Sequence, residues 1–153
     1  MRFVYFFSFI FLACVNPKQK AIDRILELET RLKLIEDLSS NEVLAYEVLS
    51  EYSNFLKLYP NAKIAPELFF KSGEVFKGLG LYLKAANSFY EVHAKYSNTS
   101  IAPLALFQQA HCFEILKQKI TAKNTYEEFI NRYPNHPYVE QAKGMIQLLY
   151  FSD

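Results

Sequence analysis

By residue type, chemistry in this 153-residue chain could rest on His93, His111, His136, Cys14, Cys112 and the glycines Gly73, Gly78 and Gly80. The spacing of these residues argues against most of it. The histidines fall in different segments, and none has a carboxylate or thiol at a metal-ligating interval. His111 and Cys112 are neighbours, but adjacent residues of a helix point about 100° apart and do not chelate together. Cys112 reads as core, because a free cysteine behaves as a small hydrophobe. The three glycines lie within and after a helical pattern and form no phosphate loop. Carboxylates are spread one or two per turn, as on a solvated surface. No nucleophile, base and orienting group converge, so the sequence points to no enzyme, no cofactor, no metal and no small-molecule substrate.

Cys14 is different. Arg2 precedes an apolar run, "FVYFFSFIFLA", that stops at Cys14 and gives way to polar "NPKQK". A membrane-spanning helix needs about 20 apolar residues, so this run has instead the length of a signal-peptide h-region. The closing "FLAC" resembles the lipobox of bacterial lipoproteins, with Ala13 in place and Phe11 where leucine is commonest. That resemblance implies cleavage before Cys14, lipidation of its thiol, export, and anchoring in a membrane, the outer membrane in particular. The alternative is an ordinary secretory signal beside an incidental cysteine. With Cys14 lipidated, Cys112 has no disulfide partner, and the fold must stand on packing alone. The glycosylation-like "NTS" at positions 98–100 is then a chance match.

Composition narrows the class further. Half of the residues are hydrophobic (51%) and only 4 are glycine, which excludes a disordered chain. The net charge of +1 falls to zero without residues 1–13, whose only charged side chain is Arg2. No cluster of Lys and Arg occupies one element, so a nucleic-acid partner is not expected.

What must position any functional side chain is a repeat. "YPNAKIAP" begins at Tyr59, "YSNTSIAP" at Tyr96 and the weaker "YPNHPYVE" at Tyr133, each 37 residues after the last. Periods of 20–50 residues signal a stacked array. Apolar residues recur every three to four positions through Phe69, Gly73, Phe76 and Leu79, then through Tyr82, Ala85, Phe89, Val92 and Tyr96. Leu106, Ala110, Phe113, Leu116, Ala122, Tyr126, Phe129 and Tyr133 repeat the pattern. Each unit is therefore helix, turn, helix. The repeated phrase punctuates: Tyr59, Tyr96 and Tyr133 end second helices, Pro60 and Pro134 stop them, and the asparagines suit the turn. Thr99 is expected to cap the next helix, with Pro66 and Pro103 inside first turns.

These residues resemble the tetratricopeptide repeat. Gly73, Ala110, Ala85 and Ala122 match the family's small residues, Phe76, Phe113, Phe89 and Tyr126 its aromatic positions, and Pro60 and Pro134 its terminal proline. Phe69 and Leu106 stand in place of tryptophan, and Lys117 replaces the turn glycine kept at Gly80. The longer proline-bearing linker is most similar to envelope tetratricopeptide proteins of bacteria, such as the barrel-assembly lipoprotein and the Tol-Pal-associated protein of cell division. The expected fold is an all-α, tetratricopeptide-like solenoid of three helix pairs plus a closing helix. The expected division is signal peptide 1–13, lipidated cysteine and tether 14–21, a divergent first pair 22–58, repeats 59–95 and 96–132, and cap with tail 133–153. The first helix, starting at Ile22, carries an apolar stripe through Ile35 and either pairs or extends as a short coiled coil.

The resemblance implies a protein-interaction scaffold whose first helices line a concave groove. On each first helix, the residues expected to face away from the partner helix are Phe70, Glu74 and Lys77, then Phe107, His111 and Glu114. Two phenylalanines among mixed charge suit a helical or extended protein partner. Alternatively, Phe70 and Phe107 pack between successive first helices. In function the resemblance favours support of outer-membrane protein assembly, with the Tol-Pal role or an accessory subunit of an envelope enzyme as alternatives.

Overall fold

The computed structural model describes residues 16–151, so the signal-like run and Cys14 lie outside the described residues. Seven helices follow one another among them: α1 (Pro17–Leu32), α2 (Glu42–Leu58), α3 (Ala65–Gly78), α4 (Tyr82–Lys95), α5 (Ala102–Ile115), α6 (Lys119–Arg132) and α7 (Val139–Phe151). Each packs on its sequence neighbours, α3 on α4, α4 on α5, and so on to α7. This is the expected all-α solenoid of three pairs and a closing helix.

Three copies of one phrase make three copies of one turn. Tyr59, Tyr96 and Tyr133 are the C-caps of α2, α4 and α6. Their carbonyls accept the amides of Ala62, Thr99 and His136, each at 3.0 Å. Thr99 does not cap α5 as its type suggests. Its hydroxyl turns back to donate to the Tyr96 carbonyl at 2.7 Å, and the N-cap is Ile101, which has no capping side chain. Pro103 near the helix start compensates, since its missing N–H removes one orphan donor. The Tyr96 hydroxyl donates to the Pro60 carbonyl at 2.9 Å and ties consecutive turns together.

At the other edge, α3 and α5 end in the same left-handed turn. Leu81 N–H reaches the Phe76 carbonyl at 2.8 Å, and Gln118 N–H reaches that of Phe113 at 2.9 Å. Such a Schellman turn needs positive φ, which Gly80 (71°) and Lys117 (59°) both supply. Lys117, bearing a Cβ, pays roughly 1 kcal/mol for it.

The core runs along the stack. Phe89 and Tyr126, period equivalents, are fully buried beside Ala85 and Ala122, and Gly73 and Ala110 leave them room. Each such ring contributes about 1.5–3 kcal/mol by leaving water. Cys112 is buried, and burial pushes its thiol up to about 11, as suits a core cysteine.

The first pair departs from the period. Asn16 caps α1 through its side chain and Pro17 occupies the first turn, so the helix starts five residues before Ile22. It stops at Leu32, leaving Ile35 in the linker to α2. Rather than extending as a coiled coil, α1 packs Ile25 and Leu28 against Leu44, Val48, Tyr52 and Phe55 of α2.

The last helix keeps the register of α5 but not its partner face. Leu106, Phe107 and Ala110, buried toward α6 and α7, correspond 37 residues on to Lys143, Gly144 and Gln147. Lys143 and Gln147 are exposed, and a Cβ at Gly144 would meet open space. Val139 and Ala142 bury the other side of α7. That face of α7 is therefore polar where the matching face of α5 is apolar.

Candidate functional site

Alternate helices α1, α3, α5 and α7 share one surface, and two depressions lie along it. The first, of about 300 Å³, sits among α1, α2 and α3 and is walled by Leu32, Ile35, Leu38 and Val75. Its polar side is a built network. Glu29, buried, accepts from the Tyr52 hydroxyl at 2.8 Å and from Lys71 Nζ at 3.0 and 2.9 Å. Lys71 also pairs with Glu67 at 2.9 Å. Burial and the Glu29 carboxylate together drive the Tyr52 phenol far above its ordinary range. A buried carboxylate held by two donors is stable only while both remain.

The second depression, of about 210 Å³, lies among α3, α5 and α7, with Phe107, Lys77, His111 and Met145 in its wall. Lys77 Nζ donates to Gln108 Oε1 at 2.8 Å and bridges α3 to α5. Phe107 supplies little accessible surface. It is 6% exposed, and its ring lies 5.1 Å from Tyr138 and 5.5 Å from both Tyr126 and Phe129.

The structure therefore divides the six residues expected in one groove. Lys77, Phe107 and His111 meet in the second depression, and Glu74 faces solvent at the first. Phe70 is 7% exposed and sits 5.2 Å from Phe89 of its own pair, so it turns toward its partner helix and not away from it. Phe107 likewise packs on Tyr126 and Phe129 of α6. The Glu114 carboxylate accepts from the Tyr126 hydroxyl at 2.9 Å and borders a depression near the end of α7. The register explains the correction. Phe70 and Lys71 point about 100° apart, and the shared surface follows Glu67, Lys71 and Glu74. Lys71, Gln108 and Met145 are period equivalents, as are Glu74 and His111, so polar positions recur from α3 to α5 along this face although the charges do not.

Titration of this region is asymmetric. Burial is the main cause lowering His111, with Lys77 adding to it. Burial also lowers His93, whose Nε2 lies 2.7 Å from Gln109 Oε1 and whose Nδ1 lies 3.5 Å from Arg132 Nη1. That hydrogen bond and Glu128 oppose the shift, while the Arg132 charge reinforces it. Burial raises Glu74, against the opposing pull of the Lys77 and Lys71 charges. The signs follow by linkage. Below the unfolded histidine value of about 6.5, the unfolded chain takes protons that both folded histidines refuse, so stability falls with pH. Glu74 works the opposite way at lower pH, where its stabilisation is lost as pH rises from about 4.3. Urea midpoints are expected to drop between pH 7.5 and 5.5, and His93→Gln to flatten the drop. A midpoint constant over that range contradicts the assignment.

Among the described residues no group of three His, Cys, Asp or Glu side chains could hold a metal ion. None of the described helices is long and apolar enough to cross a membrane.

Comparison with known proteins agrees at the level of the repeat. No curated protein matches the chain. The tetratricopeptide repeat family model matches residues 104–136, which span most of α5, all of α6 and the turn after it. By sequence as well as by shape, α5 and α6 are thus similar to a tetratricopeptide repeat, a fold that typically serves as a protein-binding scaffold.

Proposed function

We propose that this chain is a non-enzymatic protein-interaction scaffold of the bacterial cell envelope, anchored by lipid at Cys14 and serving outer-membrane protein assembly. The observation that carries the scaffold reading is the shared surface of α1, α3, α5 and α7, with two depressions rimmed by mixed charge. The envelope reading rests on the export-like run and "FLAC" at its end. Because α1 begins at Pro17, three residues past Cys14, a lipid there holds the array close to the bilayer. Two or more acyl chains suffice for stable anchoring, each buried CH₂ adding about 0.8 kcal/mol.

The test separates the two parts. Cys14→Ser is expected to leave the precursor uncut or to release the protein from membranes; unchanged processing and partitioning refute the anchor. Capture of partners is expected to fail for Lys77→Glu with His111→Glu, and to survive Lys95→Ser. If the double variant stays folded and keeps every partner, the second depression is not where they dock.

A further inference from the structure

Away from the shared surface, the end of the array formed by the start of α6 and the end of α7 exposes an apolar patch. Ile120 is 78% exposed and Phe151 85%, with Leu148 and Tyr150 also exposed beside them. Two wells of about 300 and 180 Å³ lie side by side there, both lined by Lys119 and Leu149. Lysines surround them. Lys117 and Lys119 form no ion pair among the described residues. Lys123 reaches Glu127 only at 3.6 Å and lies 5.1 Å from the centre of the Tyr150 ring. The one acid in the wall, Glu114, is already engaged by Tyr126.

We infer that this end of the array docks an acidic amphipathic helix of a protein partner. The inference rests on the scaffold reading and names the chemistry of one partner. Two wells sharing a wall accept two neighbouring apolar side chains, as one face of an amphipathic helix presents them. Carboxylates flanking that stripe would meet Lys117 and Lys119, which together with Lys123 outnumber the one acid lining the wells, Glu114. The same lysines disfavour a second copy of this chain, because a two-fold contact through the patch sets them against one another. A bilayer offers no discrete ridges to fill wells.

The full chain is titrated with a fluorescent designed helix carrying leucines at i, i+4 flanked by glutamates, and with its twin in which lysines replace the glutamates. The acidic peptide is expected to bind and the basic one not, with affinity falling as salt rises. Lys117→Glu with Lys119→Glu, and separately Leu148→Ser, are expected to weaken binding at least about tenfold. All three side chains border solvent, so the melting temperature should hold, and Lys57→Glu on α2 should bind as wild type. Equal binding of both peptides, or none of either, overturns the inference. So does recruitment to phosphatidylglycerol vesicles through the same lysines without peptide competition, or a dimer that the patch variants abolish. Because these readouts use neither Cys14 nor the α3–α5–α7 depression, their failure leaves the scaffold tests standing.

Discussion

Phe107→Ala is expected to cost about 3–5 kcal/mol of stability, as large truncations of buried aromatics do. The ring is 6% exposed and touches three other aromatic rings, from α6 and from the turn before α7. It therefore joins one helix pair to the closing helix, and its loss leaves a cavity at that junction. Against a total stability of about 5–15 kcal/mol, that is a large share. The melting temperature should fall by about 10–20 °C. Lys77→Ala, nearby on the accessible surface, should cost about 0.5 kcal/mol, since a surface side chain loses little. Thermal melts followed by helicity decide the matter. A Phe107→Ala protein as stable as wild type would return that ring to the docking surface.

Gly73→Ala is expected to destabilise although alanine favours helices. The helical preference alone would add about 1 kcal/mol. The new Cβ, however, would stand 2.6, 2.7 and 2.8 Å from Cε1, Cζ and Cδ1 of Phe89. That ring is fully buried and also stacks near Phe70, so it has no free direction in which to yield. Overpacking of about 1–3 kcal/mol outweighs the gain. A net loss of up to about 2 kcal/mol lowers the melting temperature by up to about 8 °C. The equivalent position already holds Ala110, where the opposing ring is Tyr126, held by its hydroxyl on Glu114. Ala110→Gly should therefore destabilise too. Were Gly73→Ala to raise the melting temperature, the close crossing of α3 and α4 would be wrong.

The repeat makes α3 to α6 legible in the sequence, because periodicity and small-residue placement are set by packing between neighbours that the sequence also repeats. Legibility stopped where a residue's environment depends on more than its own pair. Phe70 recurs as Phe107, yet core positions recur just as faithfully as surface ones, so the pattern alone does not separate a groove residue from one packed inside. The charges at Glu67, Lys71 and Glu74 mark the accessible stripe, one residue away in register. Thr99 has the right type for a cap, but its hydroxyl is drawn to the Tyr96 carbonyl, which the short turn brings closer. The start of α1 is not marked by the apolar stripe, because its signal is the Asn16 cap and Pro17, both upstream of that stripe. The Glu29–Tyr52–Lys71 network unites three helices and has no local pattern at all.

The polar face that α7 substitutes for that of α5 bears on how such a chain can lengthen. Arrays of this kind grow by duplication of whole units. Copying a 37-residue block upstream of Tyr133 adds a floor to the stack and leaves the terminus intact. Copying α7 itself would place Lys143 and Gln147 where Leu106 and Ala110 meet a neighbour, burying a charge and an amide against the inserted helix. A duplicated middle unit thus keeps its apolar contacts, whereas a duplicated α7 sets polar side chains against its neighbour.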